Sequence, residues 1–121
     1  MKIGTDIAKI SRFEKMTEND IPKKVFSDEE RAYILSKKNA AQTAAGIFAA
    51  KEAFSKSLGT GIVKMSLQSI EVLHDELGAP YFHLSEGAYD AAKSKNASFL
   101  LTITHTDTTA GAVVIAQNDT I

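Results

Sequence analysis

Cysteine is absent from the 121 residues of this chain. Its absence excludes disulfides, thiolate metal sites and catalysis by a cysteine nucleophile, and it is compatible with a reducing cytoplasm. An excess of positive charge is also missing, because the formal net charge is −1. The overall charge therefore gives no argument for binding to nucleic acid or to an anionic membrane, and any surface that binds anions has to be local.

The chain also lacks a long apolar run, an internal repeat and a low-complexity segment. Its first residues include the charged Lys2 and Asp6, which argues against a signal peptide and against a membrane-spanning segment. The composition, with 44% apolar and 24% charged residues, is that of an ordinary globular protein. A chain of this length can bury a real core, and we predict a single domain over residues 1–121.

Helical and strand patterns alternate without a regular rhythm, which predicts an α+β fold. Strands are predicted over residues 2–7, 69–73, 81–84, 98–106 and 110–116. Helices are predicted over residues 27–37, 39–58 and 86–94, with short helical turns between residues 10 and 24 and a loose tail from Gln117.

Residues 39–58 form the strongest predicted helix, which Gly59 ends as a C-cap. One face of this helix is an apolar stripe made of Ile47, Ala50, Phe54 and Leu58. A second face holds Ala45, Ala49, Glu52 and Lys56. Because these side chains are small or polar, we expect another group to approach the helix backbone closely on the second face.

Asp6 belongs to a predicted half-buried strand in which Ile3, Thr5 and Ile7 alternate with polar or small residues. We expect Asp6 near the strand end, where its side chain projects into a cleft. Considered alone, Asp6 is equally typical of a solvated turn. Glu52 and Lys56, four residues apart, are equally typical of a surface ion pair worth about 0.3–0.5 kcal/mol. The two carboxylates become a candidate metal site only if they converge.

The histidines show no spacing typical of metal ligands. His105 lies between two threonines at a predicted strand end, so a structural role and a functional role are both open. His74 and His83 lie in a predicted hairpin, and we expect both on the surface. The context of a nucleophile elbow is found at none of the serines.

Five motifs occur together and in order: Ile-Gly-Thr-Asp-Ile at residues 3–7, Arg-Phe at 12–13, Phe-Ala-Ala-Lys-Glu-Ala-Phe-Ser-Lys at 48–56, Leu-Gly-Thr-Gly at 58–61 and Thr-His-Thr at 104–106. As a set they resemble holo-acyl-carrier-protein synthase, the small bacterial type of 4′-phosphopantetheinyl transferase. The resemblance extends from residue 3 to about residue 115. Its most specific part is Lys-Glu-Ala followed by Gly-Thr-Gly, and Gly78-Ala79-Pro80 coincides with the family's Gly-x-Pro turn.

The resemblance implies a fold with one long helix packed on an antiparallel sheet, in a homotrimer whose active sites lie at subunit boundaries. It also implies the activity. Such an enzyme transfers 4′-phosphopantetheine from coenzyme A to a serine of apo-acyl carrier protein, with Mg²⁺, and releases adenosine 3′,5′-bisphosphate. The implied setting is fatty acid biosynthesis, a part of lipid metabolism, in the cytoplasm.

The resemblance also implies roles for single residues. Asp6 and Glu52 match the family's magnesium ligands, and Lys56 matches a lysine beside the pyrophosphate, which makes these three the catalytic candidates. Arg12 and Phe13 match the contact with the carrier protein, where the arginine meets an acidic helix. The residues that match the coenzyme A site are Lys56, Gly59, Thr60, Gly61, Pro80, Thr104, His105 and Thr106. For the base that accepts the serine proton, our hypothesis is Glu52 or a water that it orients.

One departure from the family concerns Ile47, which stands where the family usually has an arginine that helps to bind a phosphate of coenzyme A. Lys51, Lys64 or Lys24 could supply the missing charge. The departure also leaves room for a different class of function, a catalytically silent module that binds coenzyme A or the carrier protein. A transferase that uses an acyl-coenzyme A is a third hypothesis.

Overall fold

The computed structural model describes residues 1–16, 20–59 and 66–118. Its strands and helices are, in chain order, β1 (Lys2–Lys9), α1 (Asp28–Ser36), α2 (Ala40–Leu58), β2 (Ile70–His74), β3 (Pro80–Leu84), α3 (Glu86–Ser94), β4 (Ala97–His105) and β5 (Thr109–Asn118). Single turns of 3-10 helix occupy Ile10–Phe13 and Leu67–Ser69. The predicted α+β class is confirmed. The predicted loose tail is wrong for Gln117 and Asn118, which belong to β5.

The strands form two antiparallel sheets, one with the order β1-β5-β4 and one with β2 paired to β3. The long helix α2 packs on the three-stranded sheet, mainly against β1 and β5. The expectation of one long helix on one sheet is therefore incomplete, because the described residues contain three α-helices and two sheets. Both nine-residue helices, α1 and α3, begin after a serine, and Ser27 forms a full capping box with Glu30.

The buried face of β1 is the opposite of the expected one, which contained Ile3, Thr5 and Ile7. Ile3 and Ile7 are 64% and 72% exposed, whereas Gly4 and Ala8 are buried and Asp6 is half-buried against α2. Close packing requires small residues there, since a Cβ atom on Gly4 would lie 1.9 Å from the carbonyl oxygen of Ala53. The small face of α2 is thus covered by the protein's own sheet.

Asp6 also lies in the middle of a strand, since β1 continues to Lys9. In the register of the sheet, Asp6 stands opposite Ala112 of β5, which stands opposite Ile103 of β4. Side chains alternate between the two faces of a strand. The carboxylate of Asp6 therefore lies on the face that α2 covers.

The other face of this sheet is uncharged, and no other element of the described residues covers it. We call it the outer face, and its rows are Ile3–Ile115–Leu100, Thr5–Val113–Thr102 and Ile7–Gly111–Thr104. None of these nine residues carries a charge. Leu100 is 55% and Val113 39% exposed.

A buried ion pair joins α1, α2 and β2. The Nζ atom of Lys51 donates to Oε1 of Glu30 at 2.8 Å and to the carbonyl oxygens of Leu67 and Ile70 at 2.7 Å each. Oε2 of Glu30 accepts the backbone N–H of Val72 at 2.8 Å. Both side chains are fully buried. Burial raises the pKa of Glu30 and lowers the pKa of Lys51, and in each case the attraction of the partner opposes the effect.

Lys51 is therefore not available to bind a phosphate, which corrects its candidacy as a replacement for the arginine missing at Ile47. All three of its N–H donors are used inside the protein.

Among residues 1–16, 20–59 and 66–118, no helix is both long enough and apolar enough to cross a membrane.

We predict that Lys51→Met lowers the free energy of unfolding by about 3–5 kcal/mol, because it leaves the charge of Glu30 buried without its partner. Urea denaturation with an unchanged m-value measures the loss. Lys56→Met is the matched control. The side chain of Lys56 is 56% exposed, so this change should cost no more than about 1 kcal/mol. Equal losses in the two variants would contradict a structural role for the buried pair.

Candidate active site

Four charged side chains meet where β1 crosses α2, and we call them the charged cluster: Asp6, Arg12, Glu52 and Lys56. The Nζ atom of Lys56 lies 3.0 Å from Oδ1 of Asp6 and 3.0 Å from the carbonyl oxygen of Thr5. The ion pair that Lys56 makes is thus with the strand, across the helix–sheet contact. The structure thus brings Asp6 and Lys56 into direct contact.

Glu52 completes the charged cluster. Burial and then the negative charge of Asp6 raise the pKa of Glu52, while the positive charges of Lys56 and Arg12 oppose the rise. Two carboxylates that repel one another are stabilised by a cation between them, and carboxylate oxygens are ligands that Mg²⁺ prefers. The residues present therefore fit a magnesium ion.

The protein supplies only part of such a coordination shell. The described residues contain no group of three or more His, Cys, Asp or Glu side chains that could hold a metal ion. Magnesium is commonly bound by one or two carboxylates, with water and substrate phosphates as the other ligands. Two carboxylates and a lysine are thus suited to a phosphate-bearing substrate.

A second feature is a cavity of about 310 Å³ between α1, α2, the hairpin β2–β3 and the end of β4. We call it the histidine pocket, and its lining consists of Tyr33, Gln42, Thr43, Gly46, Ile47, His74, Gly78, Pro80, Ile103, His105 and Ala110. It contains two of the residues expected at the coenzyme A site, Pro80 and His105, together with Ile47. Sequence reasoning missed Tyr33, because its position on α1 gave no sign that it would meet β2.

The histidine pocket lies beside the charged cluster on the same face of the sheet. Its residue Ile103 shares a row with Asp6, and the next inward-facing row is Ala8–Ala110–His105. Successive inward-facing residues on a strand are about 7 Å apart.

His74 is not the surface residue that was expected. Its ring stacks on the ring of Tyr33, with centroids 3.9 Å apart and planes 6° apart. Burial lowers the pKa of His74, with a further lowering by the charge of Lys37 and an opposing effect of Asp75. The expectation is confirmed for His83, whose side chain is 63% exposed.

The remaining predicted site residues belong to neither the charged cluster nor the lining of the histidine pocket. Gly59 ends α2 with φ +74°, one turn after Lys56. Thr104 lies on the outer face and therefore points away from the histidine pocket. Thr106 is in the β4–β5 turn, where its hydroxyl lies 2.8 Å from that of Thr109. Thr60 and Gly61, like Lys64, lie outside the described residues.

A third feature is a groove of about 410 Å³ that Arg12 helps to line. We call it the arginine groove, and it is lined by Arg12, Phe13, Lys15, Met16, Asp20, Pro22, Val25, Phe26 and Phe48. The guanidinium carbon of Arg12 lies 4.9 Å from the ring centroid of Phe48 and 5.6 Å from that of Phe13. Lys24, another proposed phosphate contact, is exposed on the segment that forms this groove.

Comparisons with known proteins find relatives over nearly the whole chain. The sequence profile of the 4′-phosphopantetheinyl transferase superfamily matches residues 2–111. The holo-[acyl-carrier-protein] synthase of Treponema denticola is 42% identical over 118 residues, which cover 95% of this chain and 96% of that protein.

Two solved structures are similar over nearly the whole chain. The holo-(acyl-carrier-protein) synthase of Bacillus anthracis in complex with CoA (3′,5′-ADP) is 33% identical, with a TM-score of 0.80, over 98% of this chain and 96% of that one. The Helicobacter pylori holo-[acyl-carrier-protein] synthase in complex with coenzyme A is 31% identical, with a TM-score of 0.81, over 95% and 99%.

We predict that Gly4→Ala separates β1 from α2 and lowers the free energy of unfolding by about 1–3 kcal/mol, as overpacking does. The new Cβ would also lie 2.6 Å from the backbone nitrogen of Ser57. Gly111→Ala is the control in the same sheet, since its Cβ would meet its nearest atom at 3.6 Å, an ordinary contact. Chemical denaturation compares the two variants, and equal stability would contradict the close approach.

Proposed function

Because this chain belongs to the 4′-phosphopantetheinyl transferase superfamily, we propose that its charged cluster binds Mg²⁺ and the pyrophosphate of its substrate. The chain transfers the 4′-phosphopantetheine group from coenzyme A to a serine of apo-acyl carrier protein, and the products are holo-acyl carrier protein and adenosine 3′,5′-bisphosphate. The observation that supports the site most directly is the meeting of Asp6, on β1, with Glu52 and Lys56, on α2.

In the reaction, the serine oxygen of the carrier attacks the phosphorus atom that bears the pantetheine. The bond from this phosphorus to the bridging oxygen breaks, and that oxygen leaves with adenosine 3′,5′-bisphosphate. Mg²⁺ held by Asp6 and Glu52 would neutralise the negative charge of the pyrophosphate. The ammonium group of Lys56, 3.0 Å from Asp6, stabilises the leaving phosphate as a point charge.

The serine has to lose a proton as its oxygen attacks. Glu52 is a carboxylate beside the proposed position of the metal, where a carboxylate or a water that it orients can accept this proton. We therefore assign the base to Glu52 or to a water that Glu52 orients.

The nucleotide end of coenzyme A is proposed to occupy the histidine pocket, next to Pro80 and His105. Gly59 lies one turn beyond Lys56, where a residue without a side chain lets the cofactor pass close to the backbone. Contacts of Thr60, Gly61, Thr104 and Thr106 with the cofactor stay predictions.

The carrier protein is proposed to dock at the arginine groove. Arg12 and Lys15 supply positive charge there, and Phe13, Phe48 and Met16 supply apolar surface. This combination suits an acidic amphipathic helix. Because Arg12 also acts on Glu52, a carrier docked there lies beside the charged cluster. We place the reaction in fatty acid biosynthesis in the cytoplasm, as the resemblance implies.

The outer face supports the proposal of a homotrimer. Its nine uncharged residues form a continuous surface of strand side chains, and surfaces of this kind mark contacts between proteins. If the outer face packs against neighbouring copies, each copy lies close to the charged cluster and histidine pocket of the next one. The active sites would then lie at subunit boundaries.

The function is tested by incubation of the protein with apo-acyl carrier protein, coenzyme A and Mg²⁺, followed by mass spectrometry of the carrier. We expect a mass gain of one phosphopantetheine group, and an unchanged carrier would refute the proposal.

Glu52→Gln should reduce kcat/KM by about 100-fold or more, because it removes a proposed metal ligand and the proposed base. The melting temperature of this variant without metal should be no lower than that of the wild type, since a half-buried charge beside Asp6 is removed. A variant that is unfolded would instead indicate a structural role.

The homotrimer is tested by light scattering after size exclusion. We expect about three times the 13.1 kDa mass of one chain. Val113→Lys places a charge at the centre of the outer face and should reduce the mass towards one chain. Leu77→Lys, at a side chain that is 95% exposed on the β2–β3 turn, is the control and should leave the mass unchanged. A wild-type protein with the mass of one chain would exclude the trimer.

A further inference from the structure

The guanidinium group of Arg12 lies over the half-buried ring of Phe48, the first residue of the motif Phe-Ala-Ala-Lys-Glu on α2. The guanidinium carbon is 4.9 Å from the centroid of this ring and 5.6 Å from the centroid of the Phe13 ring. Both distances are within the roughly 6 Å over which the face of an aromatic ring attracts a cation. The two rings are therefore in position to hold the guanidinium group.

Packing fixes the two rings themselves. Their centroids are 5.7 Å apart with the planes tilted by 51°, and Phe26 meets Phe13 edge-on at 6.4 Å. Phe13 and Phe26 are buried, and Phe48 packs against the same hydrophobic core. Arg12, by contrast, is exposed on the single helical turn Ile10–Phe13, where a long side chain has many rotamers. The rings thus supply an order that the backbone position of Arg12 does not.

The contact with Phe48 also places Arg12 at the boundary between the arginine groove and the charged cluster. Phe48 and Glu52 are four residues apart on α2 and therefore share a face of the helix. A guanidinium group over the ring of Phe48 lies along the face that carries Glu52. Contact with a ring face leaves the N–H donors at the edge of a guanidinium plane able to bind a carboxylate.

We propose that Phe48 is a positioning residue for the carrier protein, because its ring holds Arg12 in the orientation that meets an acidic side chain of the docked carrier. The inference rests on the proposed docking of the carrier at the arginine groove. The described lining of this groove contains two cations, Arg12 and Lys15, and one carboxylate, Asp20, among apolar side chains. An arginine that is ordered before binding loses less conformational entropy on association than a mobile one.

The ring of Phe48 also lines the groove, so weaker binding after its removal has two explanations. If the ring only gives apolar surface to the carrier, changes at Phe48 and Arg12 act independently and their effects multiply. If the ring acts through Arg12, removal of the arginine abolishes its effect. A cation–π contact at an exposed site corresponds to about two- to fivefold in affinity, and to more when it is desolvated. An effect of this size is measurable.

Steady-state kinetics with variable apo-acyl carrier protein, at saturating coenzyme A and Mg²⁺, test the proposal. Phe48→Leu keeps an apolar side chain but removes the ring. It should raise the KM for the carrier at least about threefold, with kcat and the KM for coenzyme A unchanged. Phe48→Tyr keeps the ring and should recover most of this loss. A smaller rise in the KM for the carrier, or an equal rise in the KM for coenzyme A, would overturn the proposal.

A double-mutant cycle separates the two explanations. In an Arg12→Gln background, Phe48→Leu should raise the KM for the carrier by less than about twofold, because the group that the ring positions is gone. A further rise as large as that in the wild type would refute the positioning role.

Circular dichroism establishes that each variant folds. If Phe48→Leu is unfolded, Arg12→Lys replaces it in the test, since this change at an exposed side chain keeps the charge and loses the planar group. We expect the same rise of at least about threefold in the KM for the carrier. A wild-type KM in Arg12→Lys would overturn the inference.

Binding distinguishes a failure of this inference from a failure of the proposed function. Calorimetry measures the dissociation constant of apo-acyl carrier protein without coenzyme A. If the carrier is never modified but Phe48→Leu weakens its binding only while Arg12 is present, the transferase proposal fails and the positioning role stands. If the carrier is modified and the two substitutions multiply, the function stands and the inference fails. No binding of the carrier to the wild-type protein would also overturn the inference.

Discussion

The buried ion pair between Lys51 and Glu30 is the contact on which the other parts of the site depend. It links α1, α2 and the start of β2 through hydrogen bonds that use every donor of the lysine. The walls of the histidine pocket come from these same elements, since Tyr33 is on α1, Ile47 on α2 and His74 on β2. A pair of this kind adds little net stability over an apolar core, but its geometry is specific. Here it fixes how three elements that also share one hydrophobic core lie relative to one another.

The long helix α2 organises the molecule because each of its faces has a different neighbour. Its small residues lie against β1 and β5, which brings Asp6 to Glu52 and Lys56 at the exposed edge of the contact. Its apolar stripe fills the core, and Phe54 packs against Phe82 and Phe99 with ring centroids 5.1 and 4.6 Å apart. The first turns of the helix line the histidine pocket. Glu52, Lys56 and one wall of the histidine pocket thus belong to one rigid helix, which preserves their spacing.

The elements were predictable from the sequence because their patterns are local: an alanine-rich helix closed by glycine, a serine cap and two hairpins. The convergence of Asp6 with Glu52 was predictable only through the family motifs, since spacing alone is equally typical of a turn and a surface ion pair. The predictions that were wrong concern residues whose environment is set by segments distant in the sequence. Ile3 and Ile7 have the pattern of buried residues, yet the close approach of α2 demands Gly4 and Ala8 on the inner face. The burial of Lys51 was hidden because its partner Glu30 belongs to another helix.

The contact between Lys56 and Asp6 has a consequence for the resting enzyme. The ammonium group of Lys56 lies 3.0 Å from the carboxylate of Asp6, which is the carboxylate that Mg²⁺ would use under the proposed function. Binding of Mg²⁺ would therefore exchange one cation for another at Asp6. The exchange would free the ammonium group of Lys56 to meet the negative charge of the substrate phosphate.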